Sequence, residues 1–136
     1  MTPTAPIVLN GIARTILMEL APQAGGGYAA QTLQLMGALA MMLAQEWDRA
    51  AARLVEENSA IEALLADAGT PLAGSAASLR VSDLQARNRA LRAALIDLHA
   101  RIEGTDGAAA RALELRIWDE LYASTERRLL AMGVPS

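Results

Sequence analysis

Apolar positions recur at three- and four-residue spacing along most of this chain, and that period predicts helices. Leu9, Ile12, Ile16 and Leu20 form one face of a first helix over about residues 6–20. Thr4 is placed to cap it, and Pro6 suits its first turn. Pro22 and the glycines Gly25, Gly26 and Gly27 are expected to end it. A second helix is expected over about residues 28–68. It contains no proline and only Gly37, with Gly69 as its stop. At 1.5 Å per residue it would be roughly 60 Å long.

A seven-residue register runs through this long segment: Leu33, Ala40, Trp47, Leu54, Ile61, Ala68. Met36, Leu43, Ala50, Glu57 and Leu64 are the companion positions. The pattern is a coiled-coil-like stripe with one charged defect, Glu57. A linker rich in Gly, Ser, Ala and Thr occupies 69–81 and leaves the direction of the next helix open. The third helix, over 82–103, starts at a Ser82–Gln85 capping box. Its stripe is Leu84, Asn88, Leu91, Leu95, Leu98, Ile102. A short turn with Thr105 as cap leads into a fourth helix over about 106–132, which forces a helical hairpin. Leu115, Trp118, Tyr122, Thr125, Leu129 and Met132 form its main stripe. Leu113, Ile117 and Leu121 widen it, and Gly133 and Pro135 close it. Asn58, Ile61 and Leu65 match Asn88, Leu91 and Leu95 at an offset of thirty residues, either as a weak repeat or by chance.

The expected fold is therefore all-α: a single domain, 1–136, built as an antiparallel helical bundle with one very long second helix. That helix is longer than its neighbours, and its apolar centre Leu35–Ala44 extends beyond the third and fourth helices. A two-fold partner chain is the economical cover. Leu33, Met36, Gly37, Ala40, Met41 and Leu43 are the expected dimer contacts. The alternative is a break near Glu56–Ser59 that folds the second helix back into a compact five-helix monomer.

Composition agrees with helices. The chain is 53% hydrophobic but only 3% aromatic, without phenylalanine, so Leu, Ile, Met and Ala must fill the core. There are no cysteines, which excludes disulfides, thiolate metal sites and cysteine nucleophiles. Net charge is −3, a poor match for nucleic acid. All 12 basic residues are arginine, which points to a GC-rich bacterial genome. Leu35–Ala44 is too short for a membrane span, which needs about 20 apolar residues. No signal peptide is evident, and a soluble, cytoplasmic protein is expected.

Candidate chemistry is sparse. His99 is the only histidine; Glu103 sits four residues on, but no HExxH or ExxH motif occurs. No metal, cofactor or catalytic constellation is expected. Glu57 is expected to pair with an arginine such as Arg87 or Arg128. Asn88 lies in a leucine stripe, with Asn58 its natural hydrogen-bond partner. Three readings follow. The first is a non-enzymatic homodimeric interaction or adaptor protein, holding a partner helix in an apolar groove beside the second helix. The second is a small-molecule-binding bundle with a pocket near Trp47, Asn58, Asn88 and Trp118. The third is an enzyme using Glu57 and His99.

Overall fold

The computed structural model describes residues 2–130. They are helical with connecting loops and contain no strand. Two compact units divide inside the long helix: the chain up to Arg49 belongs to one, and Ala50–Leu129 forms the other.

The first unit opens with α1, Ala5–Thr15. Thr4 makes no side-chain cap, and its carbonyl instead accepts from the Val8 amide at 3.1 Å. The helix does not stop before Pro22. It widens into a π turn, Ile16–Leu20, and then closes with a last α turn, Ala21–Gln23. Proline explains the wide turn: it donates no hydrogen bond, and its ring would crowd the carbonyl four residues back. The Ala21 amide donates to Ile16 O, five residues back, so the slip in register comes immediately before the proline. Gly25, Gly26 and Gly27 then turn the chain, all at positive φ (69°, 89° and 77°), a conformation that side chains rarely adopt.

Helix α2 runs unbroken from Gly27 to Asp67, 41 residues. The alternative break near Glu56–Ser59 does not occur. The end of α2 is a Schellman closure: Thr70 N donates to Leu65 O and Gly69 N to Ala66 O, both at 2.9 Å. Gly69 takes the left-handed position, φ 73°.

In the second unit α2 meets α3 (Val81–Glu103) and α4 (Ala108–Arg127). Contacts fix their directions. Asp67 pairs with Arg116 and Glu56 with Arg127, so α4 runs antiparallel to α2. Arg92 bonds Ser124, and His99 meets Trp118, so α4 is antiparallel to α3 as well. Helices α2 and α3 therefore share one direction, and the linker between them is a return crossover. Arg87 pins it, donating to Ala73 O and Leu72 O, each at 2.9 Å. Ile61, Leu65, Leu91 and Leu95 lie in one buried cluster with Leu64, Leu98 and Ile117.

Three local expectations are corrected. The Ser82–Gln85 box does not cap α3, which starts one residue earlier without a side-chain cap. Ser78 acts there instead, donating to Asp83 Oδ2 at 2.5 Å and accepting from the Arg80 amide at 3.1 Å. Thr105 does not cap α4; its hydroxyl turns back to Arg101 O at 3.0 Å. The stripe Leu115, Trp118, Tyr122, Thr125, Leu129 is exposed. The buried side of α4 is the flanking row: Ile117 and Ser124, with Leu113 and Leu121 half-buried. Small Ser124 allows α4 to approach the polar centre of this unit, which the side bearing Trp118 and Tyr122 would not. Met132, Gly133 and Pro135 lie outside the described residues.

Candidate functional site

The polar centre of the second unit is Glu57. It occupies an apolar register position on α2 and is 0% exposed. An unpaired carboxylate there would be very costly, so its surroundings must supply donors. Helix α3 contributes Asn88 Nδ2 at 3.0 Å and Arg92, whose Nε and Nη2 reach Oε1 at 2.8 and 2.5 Å. Helix α4 contributes the Ser124 hydroxyl, 3.2 Å from Oε2, and Arg128 Nη2, 2.9 and 3.1 Å from the two oxygens. One carboxylate thus ties three helices together. Burial pushes the Glu57 carboxyl up. The hydrogen bonds from Asn88, Arg92 and Arg128, with the charge of Arg92, outweigh that and lower it to about 2.

The amides extend the network. Asn88 Nδ2 also donates to Asn58 Oδ1 at 2.9 Å, and Asn58 Nδ2 donates to Leu84 O at 3.2 Å. Arg92 Nε additionally reaches Asn88 Oδ1, and its Nη2 reaches Ser124 Oγ at 2.7 Å. Nearby, Arg127 grips Glu120 with both terminal nitrogens, at 2.9–3.0 Å. Burial still pushes Glu120 up despite that partner, and the charge of Glu57 adds to the push.

Of the sequence-expected site residues, the structure unites Glu57, Asn58 and Asn88. Arg128 joins them as expected, whereas Arg87 turns to Glu62 (2.8 Å) and the linker. Arg92 and Ser124 were not signalled as partners. Arg92 could have been found as the residue one turn after Asn88. Ser124 could have been found only by choosing the correct buried face of α4. Trp118 is 54% exposed and presents its ring edge-on to His99, centroids 5.5 Å apart. The partners of Glu57 do not include His99, whose Nε2 is buried without a hydrogen bond. Trp47 belongs to the first unit and is 67% exposed. Among the described residues no three His, Asp or Glu side chains converge as a metal site. A shallow open groove between α2 and α4 is lined by Ala60, Leu64, Arg116, Asp119, Glu120 and Ala123.

The expected dimer contacts divide. Gly37 and Ala40 are buried within the chain, Leu33 and Met41 are half-buried, and Met36 and Leu43 are exposed. Within the chain, Leu17 fills the space beside Gly37. A Cβ there would lie 2.5 Å from Leu17 Cγ. The opposite side of α2 carries the uncovered row Tyr28, Thr32, Met36, Leu39, Leu43 and Trp47, all exposed except half-buried Thr32. No helix among the described residues is long and apolar enough to cross a membrane. No family model, no curated protein and no solved structure matches this chain.

Proposed function

We propose that this chain is a non-enzymatic, self-associating helical interaction protein, whose first unit forms the contact surface. The observation that carries this reading is the row on α2. It exposes Met36, Leu39, Leu43 and Trp47, and no charged side chain occurs between Glu19 and Glu46. An apolar face of that extent marks an interaction site. Ile7, Val8 and Ile12 of α1 add further uncovered apolar surface to the same unit, suited to a partner helix beside α2. Met36 gives such a surface an adaptable side chain.

The polar centre supports the non-enzymatic part. Both oxygens of Glu57 are engaged by cations and hydroxyl, and its lowered pKa makes it a weak base. The amides of Asn58 and Asn88 are engaged in the same network. They are therefore committed to holding helices rather than to a ligand.

Light scattering on a gel-filtration column tests the reading. The wild-type chain, 14.3 kDa, is expected to elute at twice that mass. Leu39→Glu with Leu43→Glu is expected to elute as a single chain with unchanged helical circular dichroism. A wild-type monomer at high concentration would remove the basis of the proposal.

A further inference from the structure

The row on α2 has a spacing that reads the same in both directions. From Tyr28 the steps are 4, 4, 3, 4 and 4 residues, through Thr32, Met36, Leu39 and Leu43 to Trp47. At about 100° per residue the six positions fall within an arc of roughly 100°, one helical face. Buried Ala30, Gly37, Ala40 and Ala44 occupy the other side. A two-fold axis makes a surface meet itself, so the contact set must be its own complement. For two antiparallel helices, this requires a row that is unchanged on reversal.

We infer that the occupant of this face is α2 of a second copy, paired antiparallel about a two-fold axis near Gly37–Ala38. This rests on the self-association proposed above and specifies its geometry. Met36 then faces Leu39 of the second copy, Thr32 faces Leu43, and Tyr28 faces Trp47. The sizes match the pairing. The small Thr32 lies opposite a leucine, and the two aromatics close the seam at each end. Five of the six are large apolar side chains left 47% to 86% exposed, so the pairing would remove a continuous apolar strip from water. The row carries no charge that would select a foreign partner or fix a parallel register. Arg14 is the only basic residue before Arg49, too little positive charge to favour an anionic lipid surface.

The absence of cysteine makes the geometry directly testable. Full-length Tyr28→Cys and Trp47→Cys chains are prepared separately, checked by light scattering under reducing conditions, and oxidised alone and as an exchanged mixture. In the antiparallel pair, Cys at 28 meets Cys at 47 of the other chain, while like positions lie about 28 Å apart along the helix. A disulfide needs Cα atoms within about 7 Å. The expected result is a mixed disulfide in the mixture, with yield at least about tenfold above that of either variant alone, because proximity sets the effective concentration. Efficient self-linking of either variant alone overturns the antiparallel pairing in favour of a parallel one. Dimers by light scattering without cross-links in any combination overturn this face as the interface and leave self-association standing. A monomeric wild-type chain overturns the proposed function as well.

Discussion

In the first unit the small residues are inside. Ala13, Ala21, Ala30, Gly37, Ala40 and Ala44 are buried, while Leu35, Leu39, Leu43 and Trp47 lie outside. In the second unit the large aliphatics are inside, from Ile61 to Leu98 and Ile117, around a saturated ion-pair centre. The difference shows what each unit needs. Small residues let two helices approach closely but remove little apolar area from water, at roughly 25 cal/mol per Å². The first unit therefore leaves most of its large apolar side chains on its outer face. The second buries its own large side chains and spends its polar residues on fixing helix register.

The largest expected effect breaks the second unit's polar centre. Arg92→Ala takes from the buried Glu57 one of its guanidinium partners and leaves Arg128 in place. Removing one partner from a buried pair costs about 3–5 kcal/mol. Arg92 is itself 32% exposed, so about 3 kcal/mol is expected in urea denaturation followed by circular dichroism.

Acid probes the same centre in the wild type. Glu57 has a folded pKa of about 2 against an ordinary value of 4.5. A depressed carboxyl contributes stability that is full above 4.5 and is lost as pH falls from there towards 2. The sign is unambiguous, and the amount is about 3 kcal/mol at about 1.4 kcal/mol per pKa unit. The raised pKa of Glu120 works in the opposite direction and offsets part of this loss. In Arg92→Ala, which lacks one of the groups that lower the Glu57 carboxyl, the loss on acidification should be smaller than in the wild type. A Glu57→Gln chain whose unfolding free energy falls between pH 5 and 3 as steeply as that of the wild type would deny Glu57 its structural role.

Gly37→Ala tests the close approach in the first unit. The added methyl gains about 1 kcal/mol of helix propensity but collides with Leu17. Overpacking typically costs 1–3 kcal/mol, so a net loss of about 1 kcal/mol is expected. The loss should disappear in Gly37→Ala with Leu17→Ala, measured as a double-mutant cycle.

The smallest effect is Asn58→Ala. It removes the acceptor of one Asn88 bond and the donor to Leu84 O, for about 1 kcal/mol in the same denaturation assay. Its acid profile should remain that of the wild type, because Glu57 keeps its own donors.

Much of this is legible in the amino-acid sequence. Hydrophobic period and the absence of proline are local properties, so a second helix over about residues 28–68 is legible in the sequence, whereas its continuity through Glu56–Ser59 is shown only by the structure. Asn88 stood out because an amide in a leucine stripe needs a partner, and Asn58 lay at the matching place. Arg92 and Ser124 were not legible in that way. An arginine or serine on a helix is ordinary on a solvated face, and only the approach of α4 to Glu57 gives these two a buried role. The wrong stripe on α4 has the same origin. Two apolar rows of equal helical period lie side by side there, and periodicity does not rank them.

The long apolar face of α2, where self-association was expected, shows the division most clearly. The sequence by itself determined that the N-terminal half of α2 is apolar on all sides, because side-chain identity and a 3.6-residue period suffice for that. Only the tertiary structure decided which side α1 covers. Leu17 packs against Gly37, so the small-residue face is consumed inside the chain and the row from Tyr28 to Trp47 is left outside. The physical reason is that a helix fixes the angles between its own side chains, whereas which face becomes interior depends on what packs against it.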